Sequence, residues 1–183
     1  RSISEDQLRI CQSGEFIKYW TVEDSPIVIA KDSIIDKNCQ LRIEAGVEVA
    51  FKNNASLFVG DTEQSICQGA SRGNLLARGM PGRPITFESK SDLRRSSGSL
   101  INYICTGEVE DNALSEVRIF GGGRDNIQVN IQAGSRLSKL SDIAVTCGVD
   151  QYETPIQIRG SVGELGSFTT KACELTRFDM ILP

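Results

Sequence analysis

Short apolar segments of similar length recur along the first half of this chain, each separated from the next by glycine, asparagine or proline. They comprise residues 27–29, 41–43, 47–51, 57–59, 75–77 and 85–87. Such lengths and flanking turn residues are typical of β-strands. A strand this short cannot bury a face alone, and no helical pattern lies between the segments, so the strands must stack on one another. The sequence therefore predicts an all-β, coiled β-solenoid.

Two blocks of the sequence resemble a known class of this fold. The first block comprises residues 41–51, 76–79 and 84–87, and the second comprises 114–123, 127–131 and 137–145. Both are similar to the coils of right-handed parallel β-helix proteins of the pectate-lyase-like type, which are secreted or displayed on bacterial surfaces. The resemblance implies a right-handed, single-stranded parallel β-helix. It implies no particular activity, because lyases, hydrolases, adhesins and inert stalks share this fold.

The length of 183 residues fits one domain with a core of useful size. Residues 1–19 read differently from the rest, since a polar start precedes Leu8 and Ile10, and we expect them to form an N-terminal cap that protects the first coil. Residues 20–183 are then the β-helix domain, a segment of a longer protein. The apolar residues at 178–182 predict that a further domain or a second copy of the chain contacts the C-terminal end.

Charge and hydropathy exclude two classes of partner. The chain carries 20 Lys plus Arg against 24 Asp plus Glu, a formal charge of −4, and so offers no long-range attraction for nucleic acid. It also has no apolar run of the length that a membrane-spanning helix needs. We therefore expect neither nucleic-acid binding nor membrane insertion.

The six cysteines predict disulfides and an extracellular, cell-surface or periplasmic location. They are Cys11, Cys39, Cys67, Cys105, Cys147 and Cys173. The chain has no histidine and no Cys-x-x-Cys pair, which argues against zinc. Cys11 to Cys39 and Cys147 to Cys173 span 28 and 26 residues, close to one solenoid turn, so each pair should bridge adjacent coils. Cys67 and Cys105 are left to pair. Free buried thiols in a reducing compartment are the alternative.

The absence of histidine also removes the usual base of Ser-His-Asp and Cys-His hydrolysis. Glycoside hydrolysis by two carboxylates needs no histidine and stays open. A polysaccharide lyase would need carboxylate-bound Ca²⁺ and an Arg or Lys base. The candidates are Arg118, Arg124, Asp125 and Asp142 in neighbouring coils, and Arg159, Arg177 and Asp179 in the next ones. We expect no catalytic residue and no cofactor, with Ca²⁺ relevant only to the lyase alternative.

The sequence favours a non-enzymatic recognition or adhesion domain, borne on a cell surface or fibre and binding a glycan or a surface partner. The candidate binding residues are Trp20, Tyr103, Tyr152, Arg94, Arg95, Arg124 and Asp125. Tyr19 is a further possible member of an aromatic binding platform. It is adjacent to Trp20, so the two must point to opposite sides of a strand, and we expect one of them to lie in the core. The alternatives are a β-helix polysaccharide lyase or glycoside hydrolase, and a purely structural stalk or cap. An enzyme should gather acidic and basic side chains in one groove, whereas an adhesin need not.

Overall fold

The computed structural model describes residues 8–36, 38–60, 67, 73–89, 100–106, 112–121, 128–147 and 156–171, with the backbone of 179–180. These residues are all-β, with one 3₁₀ turn at Val22–Asp24 and no α-helix in the part described. The strands are β1 (Leu8–Arg9), β2 (Ile17–Trp20), β3 (Ile27–Ile29), β4 (Ser33–Ile35), β5 (Gln40–Ile43), β6 (Glu48–Phe51), β7 (Leu57–Gly60), β8 (Asn74–Arg78), β9 (Ile85–Ser89), β10 (Ile101–Ile104), β11 (Ala113–Phe120), β12 (Val129–Ile131), β13 (Arg136–Thr146), β14 (Ile156–Ile158), β15 (Ser161–Leu165), β16 (Phe168–Lys171) and β17 (Asp179–Met180).

The named strands pair in parallel. Each strand pairs with strands that lie one circuit earlier or later, where a circuit is the stretch of chain between one strand and the next strand paired with it, as from β2 to β5. One sheet has the order β1-β4-β7-β10-β12-β14-β17. The other begins as two columns, β2-β5-β8 and β3-β6-β9, and both columns join the long strand β11. Strand β13 pairs with β11 along its length and then with both β15 and β16. The prediction of an all-β chain of stacked strands is therefore confirmed as an all-β fold with parallel sheets.

The two columns meet at a corner whose length changes from one circuit to the next. Six residues, 79–84, separate β8 from β9, but one residue, Glu116, fills the equivalent position inside β11. Glu116 and Asp142 both have left-handed φ angles, which bend β11 and β13 without interrupting their pairing. Gly46 turns an earlier corner at φ +90°, as its sequence context predicts.

Apolar side chains that alternate along the strands form the core. In register, Val49 lies beside Phe87, and Leu41 beside Leu75, all almost fully buried. The rings of Phe51 and Phe87 lie 6.3 Å apart at a tilt of 40°. Each such side chain contributes about 1.5–3 kcal/mol when fully buried. Stacking of strands, rather than burial within any one strand, therefore holds the chain together.

The core is better covered at its start than in its last described circuit. Near the N-terminus, Trp20 and Cys11 are buried. In the last circuit, Leu165 occupies the ladder position next to Leu140, yet Leu165 is 44% exposed and Leu140 is completely buried. Strands β15 and β16 pair only with β13 among the described strands, so one edge of each lacks a strand there.

Two of the predicted disulfides lie within the described residues. Cys11 bonds to Cys39 and Cys67 bonds to Cys105, with Cα separations of 5.7 and 5.0 Å. Both pairings confirm the sequence prediction. Cys147 is also disulfide-bonded, and its predicted partner Cys173 lies outside the described residues. Strand β2 runs across the predicted boundary between residues 19 and 20 and pairs with β5, so residues of the predicted cap already belong to the sheet.

Candidate functional site

The outer face of strands β2, β5 and β8 carries two side-by-side rows of side chains. The parallel register aligns Tyr19 with Arg42 and Leu76 in one row, and Ile17 with Gln40 and Asn74 in the other. Alternation along each strand sends the intervening side chains, such as Trp20 and Ile43, inward to the core. We call these six residues the Tyr19 face; they are Ile17, Tyr19, Gln40, Arg42, Asn74 and Leu76. Gln40 is buried, and Arg42, Asn74 and Leu76 are partly exposed.

Tyr19 is the exposed aromatic residue of this face, with 54% of its surface accessible. The guanidinium carbon of Arg42 lies 5.9 Å from the centre of the Tyr19 ring. Arg42 Nε donates a hydrogen bond to Gln40 Oε1 at 2.6 Å, which fixes the guanidinium group. The fixed cation over the ring orients both groups before any ligand arrives.

Asn74 is held in a similar way at the far side of the Tyr19 face. Its Oδ1 accepts a hydrogen bond of 2.7 Å from Nδ2 of the buried Asn112, whose own Oδ1 accepts from the backbone amide of Leu75 at 2.9 Å. This arrangement leaves Asn74 Nδ2 as a donor without an acceptor among the described residues. The Tyr19 face thus combines an aromatic ring, a fixed cation and an oriented amide.

Within the described residues, the other aromatic residues considered from the sequence do not lie on this face. Trp20 is 7% exposed and Tyr103 is completely buried, so neither ring offers a face to a ligand. Burial raises the pKa of Tyr103, whose hydroxyl has no hydrogen-bond partner in the described part of the chain. Residues Tyr152, Arg94, Arg95, Arg124 and Asp125 lie outside the described residues. Strand alternation places Tyr19 and Trp20 on opposite sides of β2, but it does not tell which side faces the core.

A second surface lies on the outer face of β3, β6, β9, β11, β13 and β16, and it contains two depressions. The first has a volume of about 210 Å³. Its lining includes Glu48, Ala50, Thr86, Glu88 and Phe120. Two of these side chains are carboxylates, and Glu88 lies beside Phe120 in register.

The second depression has a volume of about 260 Å³ and gathers Glu116, Arg118 and Asp142 beside Ser167. Ser167 Oγ donates a hydrogen bond of 2.6 Å to Asp142 Oδ1. This hydroxyl holds the pKa of Asp142 below its usual value by stabilising the carboxylate form. Arg118 and Asp142, both named from the sequence as lyase candidates, are therefore brought together with a second acidic side chain.

Neither surface contains a recognisable metal centre. No three Asp, Glu or Cys side chains among the described residues are placed to share an ion. In the same part of the chain, no helix has the length and apolar character required to cross a bilayer. Comparison with protein-family models, with curated proteins and with solved structures finds no match to this chain.

Proposed function

We propose that this chain is a right-handed parallel β-helix of the pectate-lyase-like kind that serves as a non-enzymatic recognition domain and binds glycan on its Tyr19 face. The parallel pairing of strands from successive circuits supports the fold. The two disulfides within the described residues support an extracellular, cell-surface or periplasmic location, since such bonds persist in oxidising compartments. The partly exposed core of the last circuit supports contact with a further domain or a second copy there.

The observation that carries the glycan proposal is the exposed Tyr19 ring with the Arg42 guanidinium held beside it. A sugar ring has an apolar face of C–H groups and an edge of hydroxyls. An aromatic side chain offers surface for the apolar face at a small cost in side-chain entropy, and planar polar groups pair with the hydroxyls. The Tyr19 face supplies the aromatic ring and the planar polar group on neighbouring strands, since Tyr19 on β2 is aligned with Arg42 on β5.

The test is a glycan-binding screen of the oxidised protein, repeated with Tyr19→Ala and with Phe120→Ala. Phe120 is an exposed aromatic residue on the second surface, so its truncation is a matched control. We expect Tyr19→Ala to bind the glycans of the unmodified protein about tenfold more weakly, and Phe120→Ala to bind them with unchanged affinity. Equal binding by all three proteins, or no glycan bound at all, would contradict the proposal.

A polysaccharide-acting enzyme is the second candidate, and one observation favours it. The depression that holds Glu116, Arg118 and Asp142 combines acidic and basic side chains in one place, as expected of an enzyme of this fold. Incubation of each bound glycan with the protein, followed by analysis for shortened or unsaturated products, tests this candidate. Product formed by the unmodified protein and abolished in Asp142→Asn would establish the enzyme, whereas intact glycan supports recognition alone.

A further inference from the structure

The Tyr19 face has a defined length, which constrains the ligand it can take. It begins at Tyr19, because β2 pairs with β5 alone among the described strands. It ends at Leu76, because the next position of the same row is Ala113, which is completely buried. The face therefore spans three strands, and each strand contributes one level of side chains.

The three levels differ in chemistry. The level on β2 offers the Tyr19 ring, the level on β5 offers the Arg42 guanidinium beside Gln40, and the level on β8 offers Asn74 beside the partly exposed Leu76. Arg42 uses Nε for Gln40, and no described residue accepts a hydrogen bond from its two terminal nitrogens. Hydrogen-bond donors are therefore available on the β5 and β8 levels, from Arg42 and Asn74. Apolar surface is available on the β2 and β8 levels, from Tyr19 and Leu76.

The spacing of the levels matches a polymer that runs across the strands. Neighbouring strands lie about 4.8 Å apart. This distance is close to the advance of one sugar along an extended β-1,4-linked pyranose chain. A ligand that ran along β2 alone would meet Tyr19 and the exposed Ile17 but no fixed donor. A ligand that ran along β5 alone would meet Arg42 but no aromatic ring.

The overall charge disfavours a strongly acidic ligand. The chain has a formal charge of −4, which repels a polyanion at long range. On the Tyr19 face itself, the cation of Arg42 is engaged by the Tyr19 ring and the Gln40 amide. Hydroxyl or acetamido groups can accept from its remaining N–H groups without a net charge on the ligand.

We propose that the Tyr19 face binds a neutral, extended β-1,4-linked glycan laid across the strands, with one sugar on each of three levels. This inference rests on the proposed function. The terminal sugar stacks on Tyr19, the second accepts hydrogen bonds from Arg42, and the third accepts from Asn74 Nδ2 and covers Leu76.

The test is a series of binding isotherms with glucose, mannose and N-acetylglucosamine β-1,4 oligomers, from monomer to pentamer. In the series that binds, affinity should rise from monomer to trisaccharide and then stay level, and added salt should leave it unchanged. Tyr19→Ala should weaken every oligomer by about tenfold. Asn74→Asp keeps the oxygen that accepts from Asn112 but removes the donor. It should weaken the trisaccharide by about two- to tenfold and leave the disaccharide unaffected.

The outcomes separate this inference from the function on which it rests. Suppose that a glycan binds and that its binding depends on Tyr19. If its affinity is then the same for monomer and trisaccharide, or keeps rising to the pentamer, the three-level arrangement is wrong and the recognition function stands. If binding requires an acidic glycan and weakens with salt, the neutral ligand is wrong. If no glycan binds the unmodified protein, both proposals fail. Near-ultraviolet circular dichroism of each variant checks that the fold is retained.

Discussion

Glu116 and Asp142 lie opposite each other on paired strands, and both adopt left-handed backbone conformations, with φ angles of +51° and +55°. In each of these two strands, a single L-residue therefore makes the corner that six residues, 79–84, make in the circuit before β11. For a residue with a Cβ atom, this conformation costs about 1–2 kcal/mol.

Replacement of Glu116 tests whether this corner stores backbone strain. We expect Glu116→Gly to leave the free energy of unfolding unchanged or to raise it by up to about 1 kcal/mol, because relief of strain is offset by the greater chain entropy of glycine. Glu116→Val should lower it by about 1–2 kcal/mol, since a β-branched side chain tolerates positive φ poorly. Urea unfolding of the three proteins measures the difference. A valine variant as stable as the glycine variant would contradict the corner described here.

The hydrogen bond between Ser167 and Asp142 makes a prediction about pH. Ser167→Ala should raise the pKa of Asp142 toward its usual value, because the hydroxyl is the main cause of the depression. A carboxylate with a depressed pKa stabilises the fold above its unfolded pKa, and that contribution is lost as pH falls through its folded pKa. The variant should therefore lose part of its stability at neutral pH and differ less from the unmodified protein in acid. Carboxyl ¹³C titration by NMR measures the pKa.

Asp24 is the internal control for that titration. The hydroxyl of Thr21 lowers its pKa through a 2.8 Å hydrogen bond in a different circuit. The Asp24 titration should be the same in Ser167→Ala and in the unmodified protein. A shift of both residues would indicate a global change rather than loss of one hydrogen bond.

Leu140 and Leu165 provide a matched pair for the core, since they occupy adjacent positions of one ladder. Leu140→Ala should lower the free energy of unfolding by about 2–5 kcal/mol, as expected for a large-to-small change in a closed core. Leu165→Ala should cost less than about 1.5 kcal/mol in the isolated chain, because nearly half of the side chain already contacts solvent. Chemical denaturation at several protein concentrations measures both values. An equal loss of unfolding free energy in the two variants would contradict an exposed Leu165. It would indicate that a second copy of the chain covers this side chain in solution.

The Cys11–Cys39 bond should stabilise the first circuits. Its loop of 28 residues predicts a loss of about 2–4 kcal/mol when both cysteines are replaced by serine. Thermal unfolding with and without a reducing agent measures the effect, and the reducing agent should change the double variant less than the unmodified protein. Identical unfolding of the oxidised protein and the double variant would contradict a stabilising role.

Much of the strand arrangement could be predicted, because the physical signals are local. Residues 27–29, 57–59 and 85–87 are apolar segments between turn residues, and all three lie in strands. Strand β4 at Ser33–Ile35 and strand β10 at Ile101–Ile104 were not predicted. Strand β4 begins with polar Ser33 and β10 carries polar Asn102, so neither stands out as an apolar segment between turn residues.

The candidate sites were harder to predict because they depend on register. Tyr19 and Trp20 are neighbours of similar chemistry, and only the pairing of β2 with β5 decides which of them faces solvent. The depression around Asp142 joins Glu116 and Ser167 from circuits on either side. Glutamate carries no sequence signal for positive φ, so the corner that brings these residues together is visible only in three dimensions.

The circuits of this chain differ in length while their alignment stays constant. Tyr19 and Arg42 are 23 residues apart, whereas Arg42 and Leu76 are 34 apart, yet all three occupy one row. The alignment of these residues is therefore set by strand pairing and does not depend on the length of the connecting loops. The connections of such a chain can therefore change in length without altering the register of the strands, so that the loops at the edges of the sheets vary while the spacing between outward-facing side chains stays constant.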